Sequence, residues 1–112
     1  MKLAIIGSRT FTDYQKLSSE LEQFSNIELI ISGGAIGADS IGQQYAIEHN
    51  IPTLIFKPNW KQFGRGAGFV RNVDIVEACD IVIAFWDGIS KGTKHSIDLA
   101  KKKDKVIVIC LI

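Results

Sequence analysis

Four short stretches hold most of the residues with which this chain could do chemistry. They are Gly7-Ser8-Arg9-Thr10; Ser32-Gly33-Gly34-Ala35-Ile36-Gly37-Ala38-Asp39; the segment 57–68, which contains Trp60, Phe63 and Gly64-Arg65-Gly66-Ala67-Gly68; and Trp86-Asp87-Gly88-Ile89-Ser90-Lys91-Gly92-Thr93. Of the 10 glycines only Gly42 lies outside them, whereas simple turn-making would scatter glycines more evenly. Glycine permits positive φ and lets backbone N–H groups come close to an oxyanion. Where such a loop runs into a helix, the first turn adds unpaired donors and a partial positive charge. Gly33–Gly37 and Gly88–Thr93 are therefore candidate phosphate cradles. The first is not G-x-G-x-x-G, and no acidic residue follows about 20 positions on to hold a ribose, which argues against a standard NAD site.

Charge follows the glycines. Arg9, Lys57, Lys61, Arg65, Arg71, Lys91 and Lys94 lie in or just after these stretches, and the acids expected with them are Asp39 and Asp87. This predicts a basic rim at one end of a molecule whose net charge is only +1. Trp60, Phe63 and Trp86 could stack on a base or simply pack their loops. Asp39 is either a first-turn partner of a helix dipole or an acceptor for a ligand hydroxyl. His95 is either an acid–base group or a surface histidine, and His49 has no assigned task. Arg71, His95 and Asp39 are the only candidates for catalysis.

These stretches must be positioned by the elements between them. Apolar runs at Leu3–Ile6, Leu29–Ile31, Thr53–Phe56, Ile81–Phe85 and Val106–Leu111 alternate little, as strands buried on both faces of a parallel sheet do. Helical spacing separates them. One helix is expected at about Asp13–Phe24, with a capping box from Thr12 to Gln15 and Leu17, Leu21 and Phe24 inward. A second starts near Ala38, turns Ile41, Tyr45 and Ala46 inward and stops before Pro52. A third covers about Gly68–Ala78 with Phe69, Val73 and Val76 on one face. A fourth spans about Thr93–Lys102 with Ile97 and Ala100 inward, and Lys101, Lys102 and Lys103 complement its dipole. Strand and helix alternating four times, then a final strand, predict a Rossmann-like doubly wound parallel five-stranded sheet flanked by helices. In such a sheet ligands bind beyond the carboxyl ends of the strands, where all four stretches fall.

Bulk properties narrow the function. A length of 112 residues with no shift in composition fits one domain over 1–112. With 46% hydrophobic and 22% charged residues it reads as an ordinary soluble globule. The small net charge argues against a general polyanion binder. Cys79 and Cys110 are spaced too widely for a metal pair and read as buried thiols in a reducing compartment. The N-terminal apolar run is too short for a signal peptide or a membrane span, so a cytoplasmic address is expected, with no metal, no cofactor and no membrane partner.

Taken together, Gly7-Ser8-Arg9, the run Ser32 to Asp39, Arg71-Asn72 and Ala84-Phe85-Trp86-Asp87-Gly88 through Gly92-Thr93 resemble the SLOG superfamily, in particular its small YspA-like members. The likeness covers nearly the whole chain. Two relatives within it pull in different directions. The "Lonely guy" phosphoribohydrolases release a base from a nucleoside monophosphate with an arginine and a glutamate; Arg71 could match the arginine, but Ser96 stands where the glutamate should be. The DNA-processing protein A family, which binds single-stranded DNA, shares the Gly-Ser-Arg, Ser-Gly-x-Ala-x-Gly-x-Asp and Arg-Asn patterns. The resemblance implies a small-molecule nucleotide-like ligand, a homo-oligomer, and nucleic acid as a lesser possibility. The expected ligand-binding set is Gly7, Ser8, Arg9, Ser32, Gly33, Gly34, Ala35, Gly37, Asp39, Arg71, Asn72, Trp86, Asp87, Gly88, Ser90, Gly92 and Thr93. Phosphate is expected on the Gly33–Gly37 and Gly92–Thr93 amides, with Arg9 and Arg71 as charge-assisted donors and a base or sugar near Trp86 or Trp60. The first expectation is binding or sensing of a nucleotide, nucleotide-sugar or ADP-ribose-like ligand. Hydrolysis of an N-glycosidic bond and single-stranded DNA binding are the alternatives.

Overall fold

Isoleucine- and valine-rich runs become the strands of one parallel sheet, and the polar-faced segments between them become its crossovers. The computed structural model describes residues 1–112. The order is β1 (Lys2–Gly7), α1 (Tyr14–Leu21), β2 (Leu29–Ser32), α2 (Ala38–Glu48), β3 (Thr53–Ile55), α3 (Trp60–Phe63), a 3-10 turn (Gly64–Gly66), α4 (Ala67–Ala78), β4 (Ile81–Trp86), α5 (Lys91–Lys102) and β5 (Val106–Leu111). All strand pairs are parallel and the sheet order is β3-β2-β1-β4-β5. Ala4 faces Ile31 across one edge of β1 and Val82 across the other. The doubly wound architecture expected from the alternation is therefore present. No helix is long and apolar enough to cross a membrane.

Two cores lie on the two faces. Leu3, Ile5, Ile30, Ile83 and Phe85 point toward α1 and α2, where Leu17, Leu21, Tyr45 and Ala46 close over them. The alternate residues Ala4, Ile6, Ile31, Val82 and Ala84 meet Ile75 and Val76 of α4 and Ile97 and Ala100 of α5. The period-2 alternation of strand side chains makes this division automatic once both faces are covered. Cys79 and Cys110 are both free and buried. Burial raises both thiols, Cys110 to about 11 with Glu20 adding to the effect, so neither is a ready nucleophile.

The structure corrects several expectations. Burial on both faces holds for β1, β2 and β4 but not for the edge strands: Leu54 of β3 and Val106, Ile109 and Leu111 of β5 are exposed. The N-cap of α1 is Asp13, whose carboxylate accepts from the Lys16 amide at 3.1 Å, so the Thr12–Gln15 box does not form. The segment 57–68 is not a plain loop. Asn59 caps the short helix α3 by accepting from the Gln62 amide. On α4 the inward face is Ala67, Asn72, Ile75 and Val76, while Phe69 is exposed. A polar residue, Asn72, occupies a position that an apolar count skips, and this rotates the helix relative to the expected stripe.

Phe85 is fully buried and stacks on Phe11 with ring centroids 4.7 Å apart. Truncation to Phe85→Ala should cost about 3–5 kcal/mol in a denaturant titration. A loss under about 1 kcal/mol would mean that this face of the sheet is not closed as described.

Candidate functional site

The chain leaves β1 toward one face of the sheet and β4 toward the other, so a cleft opens between the ends of these neighbouring strands. Ser8 is the knot at its base. Its amide donates to the Phe85 carbonyl at 3.0 Å, and its own carbonyl accepts from Phe11 at 3.2 Å and from Ala38 at 3.3 Å. Its hydroxyl accepts from the Asp87 amide at 3.3 Å. The first turn of α2 is thereby held against the end of β1. Two glycines allow that approach: a Cβ on Gly7 would lie 2.6 Å from the Phe85 carbonyl oxygen, and one on Gly37, at φ +82°, would lie 2.5 Å from the backbone of Ser8 and Arg9.

A cavity of about 390 Å³ occupies the cleft. Ile6 and Ile75 belong to the core beneath it and also line it. Its walls include Gly7, Ser8, Arg9 and Thr10 from the end of β1, Asp87 and Ser90 from the end of β4, and Gly92, Thr93 and Ser96 from α5. Asp87 accepts from the amides of Ile89 at 2.9 Å and Ser90 at 2.8 Å, which shapes the turn and holds its carboxyl below the usual range. Ser90 then caps α5 by accepting from the Thr93 amide. The N–H groups of Lys91 and Gly92, in the first turn of α5, have no intrahelical acceptor by helix geometry.

The loop after β2 is held from within. One carboxylate oxygen of Asp39 accepts from the amides of Gly33 at 3.2 Å and Ala35 at 3.1 Å. Burial raises the Asp39 carboxyl, against the lowering pull of those amides, Arg71 and Arg9. Arg71 donates through Nη1 to the Gly33 carbonyl at 3.0 Å and through Nε to Asn72 Oδ1 at 3.1 Å. Its Nη2 donates to no group of the protein, and Arg71 lines the cavity. Asn72 in turn donates to the Gly92 carbonyl and to Nδ1 of His95 at 3.2 Å, which joins α4 to the start of α5.

A second cavity of about 640 Å³ adjoins the first and shares Arg9, Ala35, Arg71, Asn72 and Gly92 with it. Its other walls come from Gly33, Gly34, Lys57 and Pro58 and from the α3–α4 region, including Trp60, Arg65, Gly68 and Phe69.

The structure thus brings together Gly7, Ser8, Arg9, Ala35, Asp39, Arg71, Asn72, Asp87, Ser90, Gly92 and Thr93 around the first cavity and adds Gly33 and Gly34 at the second. Ser32, Gly37, Trp86 and Gly88 line neither. Trp86 instead packs against the core under α4 and α5 and donates from its indole to the Ser90 carbonyl at 3.1 Å. Within the Gly33–Gly37 loop the amides of Gly33 and Ala35 are engaged by Asp39, and the amide of Ala38, which follows it, is engaged by Ser8. His95 lies outside both cavities, edge-on to Phe69 at 4.6 Å. No three His, Cys, Asp or Glu side chains converge as a metal site. Of the basic rim, Arg9, Lys57, Arg65 and Arg71 reach the cavities, whereas Lys94 pairs with Asp98. The expected set omitted Thr10, Ser96 and Phe69. Thr10 was readable from its place beside Gly-Ser-Arg. Phe69 was not, because it completes an apolar pattern.

Asp39 should act as a positioning residue for the Gly33–Ala35 loop. Asp39→Ala leaves the buried Gly33 amide and the half-buried Ala35 amide unpaired and should cost about 1–3 kcal/mol, while Asp39→Asn keeps an acceptor and should cost less. A carboxyl raised by folding binds its proton more tightly in the native state. Its contribution to stability is therefore fullest at acid pH, below the ordinary carboxylate value, and is lost as pH rises through the raised value. The stability of Asp39→Asn relative to the unaltered protein should improve as pH rises across that window. A difference that stays flat with pH would show that the fold does not resist ionisation at this position.

Comparison with known proteins places this geometry among relatives. The model of the YspA, cpYpsA-related SLOG family matches residues 1–63. The chain is 32% identical over 111 residues to the Gene 61 protein of Mycobacterium phage D29, covering 90% of this chain and 89% of that one. Among solved structures it resembles DNA processing protein A from Helicobacter pylori, whose single-stranded DNA binding mode has been described structurally; the TM-score is 0.75 and the identity 26%. It also shares its fold with DNA processing protein A from Streptococcus pneumoniae, at a TM-score of 0.82 and 17% identity. The alignments cover 97% and 96% of this chain but only 64% and 49% of those two proteins, so this chain spans less than two thirds of either. The family model spans more than half of the chain and the phage relative pairs along most of it, and the chain belongs to the YspA, cpYpsA-related SLOG family.

Proposed function

We propose that this protein binds a phosphate-bearing nucleotide derivative in the cleft at the carboxyl ends of β1 and β4, as a binding or sensing module. The observation that carries this reading is the convergence of Arg9 and Arg71 on a hydroxyl-rich cavity. Neither arginine forms an ion pair within the protein; the ion pairs present involve the N-terminus, Lys94 and Lys103. The two guanidinium groups repel each other, Asp39 offsets that repulsion without forming an ion pair with either, and an anion between them would add charge-assisted hydrogen bonds. Arg71 is already oriented by Gly33 and Asn72, so little side-chain freedom is lost when its remaining donors engage a phosphate. The first turn of α5 reaches the cavity wall at Gly92 and offers a backbone donor there.

The SLOG relationship and the single-stranded DNA binding of the Helicobacter pylori protein both support a ligand of the nucleotide or nucleic-acid class. A short single strand is the second reading, favoured by the exposed Lys57, Lys61 and Arg65 beside exposed Trp60. Cleavage of an N-glycosidic bond is disfavoured by the carboxylates in the cleft. Asp39 and Asp87 each already accept two backbone amides, and the neighbouring wall position is Ser96.

Arg9 offers the cleaner test, because it is exposed and forms no hydrogen bond or ion pair with the rest of the protein. Calorimetric titration with AMP and ADP-ribose should show binding by the unaltered protein, and Arg9→Ala should weaken it by about 1.5–3 kcal/mol while leaving the unfolding midpoint nearly unmoved. An unchanged affinity would remove Arg9 from the site. Binding confined to a short single-stranded oligonucleotide, and falling steeply with salt, would replace the first reading with the second.

A further inference from the structure

The two adjoining cavities differ in chemistry. The first contains no aromatic side chain, but it carries two carboxylates, Asp39 and Asp87, among serine and threonine hydroxyls. The second contains no carboxylate, and two aromatic rings line it: Trp60, 57% exposed, and Phe69, 52% exposed. Lys57 and Arg65 lie on the walls of the second cavity, and Arg9 and Arg71 stand where the two cavities meet. None of these four cations has an ion-pair partner in the protein. Each cavity falls within the range of small-ligand sites, so a mononucleotide confined to one would leave the other open.

We infer that the ligand is a nucleoside diphosphate bearing a terminal sugar, laid across both cavities with the sugar in the first, the diphosphate over Arg9 and Arg71, and the base against Trp60. This rests on the reading that the cleft takes a phosphate. The direction follows from the walls. A phosphate deep in the first cavity would meet Asp39 and Asp87 and be repelled, whereas sugar hydroxyls can donate to carboxylates and exchange bonds with serine and threonine. A base has π-faces to stack, and aromatic rings to receive them line only the second cavity. Glycines at 33, 34, 68 and 92 keep side chains out of the second cavity. At Gly68, an added Cβ would touch the Trp60 ring at 3.9 Å.

The test compares ADP-ribose, UDP-glucose, AMP, ribose 5-phosphate and a short oligothymidine by calorimetry, with the unaltered protein and with Trp60→Leu. Trp60 is exposed, so its replacement should leave the fold intact, which far-UV circular dichroism checks. The expected result is that ADP-ribose or UDP-glucose binds at least about tenfold more tightly than AMP or ribose 5-phosphate, and that Trp60→Leu removes most of that advantage. Equal affinity for the diphosphate sugars and AMP, insensitive to Trp60→Leu, would overturn the inference and leave the phosphate site standing. Failure of every mononucleotide, sugar phosphate and diphosphate sugar to bind would overturn both. Preference for the oligothymidine over all of the small ligands would overturn the inference in favour of nucleic acid.

Discussion

Ser8 ties the ends of three elements together through four hydrogen bonds, and the cleft depends on that knot. Its backbone bridges β1 to β4 and receives the first turn of α2, while its hydroxyl anchors the turn after β4. The underlying constraint is topological. Crossovers from β1 and β4 depart to opposite faces, so neither helix covers the space between their ends. Backbone polar groups there need partners, and a buried serine satisfies several at once. Small residues are required at this point because α2 comes almost into contact with β1.

Around that fixed base the polar groups form a graded network. Asp39 organises the loop after β2, Arg71 braces the same loop from α4, and Asn72 passes the constraint to α5. Each carries out part of its hydrogen bonding inside the protein. Arg71 retains unused donors, as does the first turn of α5. A site built this way is preorganised: most of the ordering cost is met during folding, and a ligand has to align few groups. The same design explains why the glycine-rich loop, which has the sequence of an anion cradle, directs the amides of Gly33 and Ala35 at a resident carboxylate.

The relationship to DNA processing protein A lies in the sheet and its open end rather than in whole-protein architecture, since this chain spans less than two thirds of either structure compared. The phage D29 protein has nearly the same extent as this chain and pairs along most of it. Within this chain, the segment between β3 and α4 builds the outer wall of the second cavity. There α3 and the 3-10 turn set Trp60 and Arg65 beside Lys57, next to the shared arginines.

Local physics made much of this legible in the sequence. Runs of Ile and Val, interrupted by amphipathic segments, point to a parallel sheet because strands covered on both faces favour such runs, although β5 is as apolar and stays partly exposed at the edge. Clustered glycines and arginines mark the strand ends where such a sheet binds ligands. Those features suffice to put Arg9, Arg71, Asp87 and Gly92 at the cleft. Tertiary structure alone decided the rest. Which strands lie at the edges depends on the order β3-β2-β1-β4-β5, which no single segment encodes. Whether Trp86 or Trp60 faces the cleft depends on which side of its strand or helix is claimed by the core, and the core takes Trp86. Whether Asp39 meets a ligand or its own loop depends on a few ångströms between Gly33 and α2, a distance fixed by the packing of α2 on β1 and invisible in the order of residues.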